Sequence, residues 1–206
     1  MRVSTVTSLA LMALAGCYRT HTRVTDAGST PDAAVDAPMV RERCLVLANA
    51  SFDEPAFDFD VSGATELEGW SVEVGDVDIL VSGGEFGVGT DGRNYLDLNG
   101  LAPGALSQRV SGLVIGARYR VAFSLSGNSG AHPLELSFAD ASGVVTSQPY
   151  TGSGPVLPTP ASAWRTETFS FIATAGEGVL RIRSRESDPT HGALLDFFRC
   201  PDGVAP

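Results

Sequence analysis

The chain has 206 residues, with 14 arginines, no lysine and 24 acidic side chains, for a formal charge of −10. Residues 44–206 hold nine of the arginines against twenty carboxylates, and a field of that sign repels phosphate backbones, which argues against nucleic acid as a partner. A folded region of about 160 residues buries roughly 70% of its unfolded surface, so no cofactor is required merely to fold it.

The first element is a secretory signal over residues 1–16. Arg2 gives the positive start, residues 3–15 are apolar or small, and small residues stand just before Cys17. The apolar run falls short of the ~20 residues that cross a bilayer. Leu14-Ala15-Gly16-Cys17 resembles the lipobox of bacterial lipoproteins. That resemblance implies acylation of Cys17, membrane attachment through the lipid and, with Tyr18 rather than Asp following, the outer membrane or cell surface. Residues 17–43 then form a linker. Beyond Tyr18 it is dominated by Thr, Asp, Ala, Ser, Pro and Val, without strand or helix period, and it reads as a disordered tether.

From Cys44 the pattern changes to short alternating runs between Gly, Pro, Asn and Asp. Tyr119, Val121, Phe123 and Leu125 alternate with Arg120, Ala122 and Ser124; Leu134, Leu136 and Phe138 repeat the period, as do Phe169 with Phe171 and Leu180 with Ile182. Period two with one apolar face marks half-buried antiparallel strands. Further strands are expected at 45–49, 70–74, 77–81, 94–99, 105–110, 143–148 and 193–199. Residues 149–163, rich in Pro, Gly, Ser and Thr, read as a long surface loop that carries Tyr150 as an accessible ring. About ten strands and no helical period predict an all-β, two-sheet antiparallel sandwich of the jelly-roll kind over 44–201, with 202–206 as a tail. If Cys17 carries lipid, Cys44 and Cys200 remain as an even pair in an oxidising compartment. They form a bridge between the first and last strands, or two free thiols.

The segments Asn49-Ala50-Ser51-Phe52-Asp53-Glu54-Pro55, Gly69-Trp70-Ser71-Val72, Tyr95-Leu96-Asp97-Leu98-Asn99-Gly100, Leu106-Ser107-Gln108, Ser126-Gly127-Asn128, Phe169-Ser170-Phe171-Ile172-Ala173 and Leu195-Asp196 carry a family likeness in order and spacing. Over residues 45–200 the chain resembles the bacterial choice-of-anchor C family and the plant cell-wall proteins of domain of unknown function 642, both galactose-binding-like jelly rolls. The resemblance implies the fold more than any one ligand, because such folds serve sugar binding, adhesion and structure alike. The family's usual Asn after the final Leu-Asp is Phe197 here. Many carbohydrate-binding jelly rolls hold a structural calcium between the first and last strands; the corresponding acids are Asp53 and Asp196, and the alternative is that Asp53 caps a turn.

If Leu96 and Leu98 face the core, Tyr95, Asp97 and Asn99 share the opposite face. A ring beside a carboxylate and an amide suits a neutral sugar, and Gln108 and Asn128 are placed to extend that face. The competing assignment is that Asp97 and Asn99 hold the sheet ends through turn hydrogen bonds. Trp70 and Trp164 each begin a strand and are expected in the core. Gly87-Val88-Gly89-Thr90-Asp91-Gly92 satisfies a dinucleotide fingerprint but leads into a strand, so it reads as a glycine-rich loop. His132 and His191 are expected as solvated loop residues. No nucleophile elbow or zinc-protease motif is present, and no catalytic residue is assigned. The expectation is a non-catalytic, lipid-anchored envelope protein that binds cell-wall or surface polysaccharide. The alternative is a structural or adhesion protein contacting another envelope protein without binding sugar.

Overall fold

The computed structural model describes residues 40–187 and 191–204. The signal sequence, Cys17, residues 18–39 of the linker and residues 205–206 of the tail lie outside the described residues. The strands in chain order begin with β1 (Glu42–Cys44), β2 (Val61–Ala64), β3 (Glu66–Leu67), β4 (Trp70–Val74), β5 (Val77–Val81), β6 (Asn94–Asp97) and β7 (Ala105–Ser111). They continue with β8 (Arg118–Gly127), β9 (Gly130–Asp140), β10 (Gly143–Gly154), β11 (Arg165–Ile172), β12 (Glu177–Ser184) and β13 (Ala193–Arg199). Among the described residues the helical content is one 3-10 turn at Ala161–Ala163. The all-β expectation holds.

Two sheets form. The first runs β8-β13-β6-β5-β2, with β11 on the other side of β8 and β1 parallel to the first residues of β8. The second runs β10-β9-β12-β7-β4-β3. The alternation in β8 does what its sequence predicts: Tyr119, Val121, Phe123 and Leu125 enter the space between the sheets, with Leu134, Leu136, Phe138, Leu180 and Ile182 arriving from the opposite side. Phe138 stacks on Phe171 at 3.8 Å between centroids, and Phe123 stacks on Phe198 at 5.2 Å. Trp70, 6% exposed, packs on Phe52 and Phe198 and is a core residue as expected. Cys44 and Cys200 are bridged, closing a loop of 156 residues.

A second, smaller apolar cluster lies on the outer face of the first sheet. Leu80, Tyr95 and Leu194 point away from the main core and are covered by Phe86, Leu157 and Trp164. Trp164 therefore plugs this outer cluster rather than the space between the sheets. Its ring meets Tyr95 edge-on at 5.6 Å, and its indole N–H donates to the Val88 carbonyl at 2.7 Å. The roof closes because the glycine-rich loop and the 155–160 segment pair backbone to backbone, Val88 N to Thr159 O at 3.0 Å and Thr159 N to Phe86 O at 2.9 Å. Gly87 sits at φ +115 with Thr159 so close that a Cβ would strike its backbone, so this crossing needs glycine on steric and conformational grounds.

Three expectations fail locally. Residues 45–49 are not a strand: β1 ends at Cys44, and the Gln108 side chain then takes the place of a strand partner for Ala48. The loop expected over 149–163 is shorter, because β10 runs on to Gly154. Tyr150 is accordingly 7% exposed, donating to the Thr168 carbonyl at 2.8 Å. His132 stands in β9, 8% exposed, with Nδ1 3.2 Å from a Glu186 carboxylate oxygen, rather than in a solvated loop. His191 is exposed, as expected.

Candidate functional site

Tyr95, Asp97 and Asn99 do share the outer side of β6, but no sugar can reach them. They are 0%, 1% and 1% exposed. Asp97 accepts from the Asn99 backbone N–H at 3.0 Å and from the Asn128 side-chain amide at 2.8 Å, while Asn99 donates to the His191 carbonyl at 2.8 Å. This is a buried polar lock that ties β6, the end of β8 and the segment before β13. Burial pushes the Asp97 carboxyl up to about 6, against the pull of its amide donors. Gln108 belongs to a different place altogether. It sits on β7 of the second sheet, where its side chain accepts from Ala48 N at 2.8 Å and donates to Ala48 O at 2.9 Å and Gly69 O at 2.7 Å. The sugar face proposed from Tyr95, Asp97, Asn99, Gln108 and Asn128 is thus corrected: an alternating pattern shows which side a residue points to, and here loops cover that side.

The two acids of the expected calcium site, Asp53 and Asp196, converge on one loop. Asp53 Oδ1 accepts from the backbone N–H groups of Arg93 and Asn94 at 2.7 and 2.9 Å. Asp196 Oδ2 accepts from Thr90 N, Thr90 Oγ1 and Asp91 N at 2.6, 2.9 and 3.1 Å. One oxygen of each carboxylate thus faces backbone donors, Asp196 Oδ1 is buried without a hydrogen-bond partner, and among the described residues no three His, Cys, Asp or Glu side chains gather into a metal-binding group. The two aspartates clamp the 89–94 loop instead, and burial raises the Asp196 carboxyl to about 6.

An open cleft lies at the edge of the second sheet, beside β3 and β4. Its volume is about 610 Å³, and its walls include Pro55, Phe57, Thr65, Glu66, Glu68 and Ser71. The floor is rigid because Trp70 is wedged against Phe52 at 5.7 Å and its indole N–H donates to the Asn49 carbonyl at 3.2 Å. Asn49 builds the walls. Held at φ +44, it donates to the Glu54 and Glu68 carbonyls at 2.6 and 2.8 Å and accepts from Glu54 N at 3.0 Å. Its side chain is therefore fully engaged. Glu66 and Glu68 alternate with buried Leu67 and reach solvent, and Glu66 pairs in register with Ser71. Phe57 is half-buried on the core rim, and Phe59, two residues on, is 71% exposed.

Such a cleft offers an aromatic surface for apolar C–H faces and carboxylate and hydroxyl groups for a ligand's hydroxyls. Sequence reasoning passed over Phe57 and Phe59. The signal was present as Phe57-Asp58-Phe59-Asp60, two rings alternating with two acids in a segment that is not a strand.

No protein-family model matches the chain. Halomucin of Haloquadratum walsbyi is 33% identical over 91 residues, 40% of this chain, and the chain spans 1% of that protein's length. Among solved structures, the chain is similar to TmCBM61 in complex with β-1,4-galactotriose, with a TM-score of 0.50, 18% identity, and 74% of this chain and 94% of that one covered. It is also similar to a family 35 carbohydrate-binding module from Clostridium thermocellum, with a TM-score of 0.45, 17% identity, and 68% and 95% covered. What the chain shares with them is the two-sheet β-sandwich fold.

Proposed function

We propose that this domain binds a neutral polysaccharide without cleaving it, and that the cleft beside β3 and β4 is where it does so. The observation that carries the reading is the combination in that cleft: a volume of about 610 Å³, a half-buried Phe57, and Glu66, Glu68, Thr65 and Ser71 within reach of one ligand. The acidic walls favour an uncharged sugar over a uronic acid or phosphorylated one. Glu66 and Glu68 belong to one stretch of chain, an arrangement suited to reading hydroxyls, whereas a glycosidase needs two acids flanking the scissile bond. The galactotriose held by TmCBM61 makes β-1,4-galactan the first glycan to try.

The same reading has the protein exported, acylated at Cys17 and held at the envelope, with the outer membrane favoured by Tyr18 at the next position. The bridge between Cys44 and Cys200 supports passage through an oxidising compartment. The test is a glycan array on the full chain, followed by titration of the best binder. The double variant Glu66→Ala/Glu68→Ala should weaken binding at least tenfold with an unchanged melting temperature, and Phe57→Ala should do the same to binding with only a modest drop in melting temperature. A blank array together with a single envelope protein recovered by cross-linking would replace this reading with the adhesion role.

A further inference from the structure

Strand directions place three connections at one end of the sandwich: residues 112–117, 141–142 and 173–176. They are tied together, Leu113 N to Gly176 O at 2.9 Å, Gly116 N to Ala173 O at 2.8 Å, and Thr174 Oγ1 to an Asp140 carboxylate oxygen. The described chain starts at this same end, where Arg118 N donates to the Arg41 carbonyl at 2.9 Å. Five of the exposed large apolar side chains sit here. Val40 is 46% exposed, Val114 45%, Ile115 69%, Val144 68% and Ile172 40%.

Arginines collar them. Arg118 is in register with Ile172 on one side and Glu42 on the other, and Arg120 lies two residues along the same strand face. The carboxylates that the strands bring to this end are engaged: Glu42 with Arg120 at 3.2 Å, Glu177 with Arg109 at 3.3 Å, and Asp140 with Ser142. Among the described residues, Arg41 and Arg118 make no ion pair with a carboxylate. In a chain of formal charge −10, an apolar tip bordered by uncompensated arginines is an exception that asks for a partner.

We propose that this end of the domain rests on an anionic lipid surface, with Val114 and Ile115 entering the headgroup region and Arg41 and Arg118 contacting lipid phosphates. Charge favours this orientation, since Arg41 and Arg118 stand beside the apolar tip without an ion pair in a chain of formal charge −10. Position agrees with it, because Val40 and Arg41, the first described residues, lie at this same end. The proposal is independent of the carbohydrate reading and uses none of the cleft residues.

The test puts a reporter on the tip, so that vesicle attachment by residues 1–39 does not confound it. The full chain carrying Ile115→Trp is mixed with phosphatidylcholine vesicles, with and without a one-third share of phosphatidylglycerol, and with acyl-brominated versions of each. The expected result is a blue shift of the added emission and quenching by the brominated lipids on the anionic vesicles. Arg41→Ala/Arg118→Ala in the same background should raise the anionic-lipid concentration needed by roughly five-fold per arginine. Emission that stays water-like on bound vesicles overturns the proposal. So does a shift that is equal on neutral lipid, or one that appears without lipid as protein concentration rises, which would indicate docking between copies.

Discussion

Asp97 gives the sharpest quantitative check on the buried lock. Its carboxyl is 1% exposed and titrates at about 6 in the folded chain, against an ordinary 3.8, with burial the leading cause. A carboxyl raised in the folded state contributes its full stability below the unfolded value and loses it as pH rises through the folded one. That rise corresponds to about 3 kcal/mol over the whole titration, of which about 2 kcal/mol is lost between pH 4 and pH 7. Asp97→Asn removes the titration while keeping the shape. Its Oδ1 still accepts from Asn99 N, and its new amide can donate to the Asn128 carbonyl oxygen, which has no hydrogen-bond partner in the wild-type arrangement, once that amide turns over. Urea unfolding at steps from pH 4 to pH 8 should show the wild type losing stability with rising pH and Asp97→Asn losing about 2 kcal/mol less. Asp196 provides a residual slope in both. Parallel curves, differing by a constant at every pH, would refute the claim that Asp97 is held protonated by burial.

Gln108→Leu strips two backbone carbonyls and one N–H of their partner while filling the same space, and should cost about 2–4 kcal/mol in chemical denaturation. Reduction of the Cys44–Cys200 bridge releases a 156-residue loop, worth up to about 5 kcal/mol in the chain-entropy account, and should lower the melting temperature well beyond any surface substitution. Phe197 sits at φ +49, a left-handed conformation that costs a bulky residue roughly 1–2 kcal/mol, set against a contact with the Arg199 guanidinium at 4.8 Å worth about 0.5–1. Phe197→Asn should therefore raise thermal stability slightly, and a loss beyond about 1 kcal/mol would show that the ring contact dominates.

Legibility followed local physics. The strands β8, β9 and β12 could be read because each alternates large apolar residues with small or charged ones, and the pleat converts that alternation directly into an inner and an outer side. Residues 61–67 escaped because Val-Ser-Gly-Ala and Glu-Leu offer no such period. Cysteine parity pointed to the bridge without deciding it. The rejected dinucleotide motif followed from what comes after it, since Arg93-Asn94-Tyr95 opens a strand. Site residues fared worse. Tyr95, Asp97 and Asn99 have the right chemistry for a sugar and point to the expected side, yet Leu157 and Trp164 cover the first, and Asn128 and the 191–192 segment cover the other two, from positions 30 to 95 residues away that declare nothing about where they fold.

By itself, then, the sequence determined the class of fold and the inward side of each long strand, because each depends on neighbours one or two residues away, and it left Cys44 and Cys200 as a bridge or two free thiols until the structure joined them. Only the tertiary structure decided which outward polar residues meet solvent. Gln108 became a backbone partner for Ala48, Asp97 a buried lock, and Phe57 with Glu66 and Glu68 an open cleft. The reason is that exposure is a property of the space around a side chain, and that space is filled by loops whose landing places rest on contacts spanning 60 to 106 residues of chain.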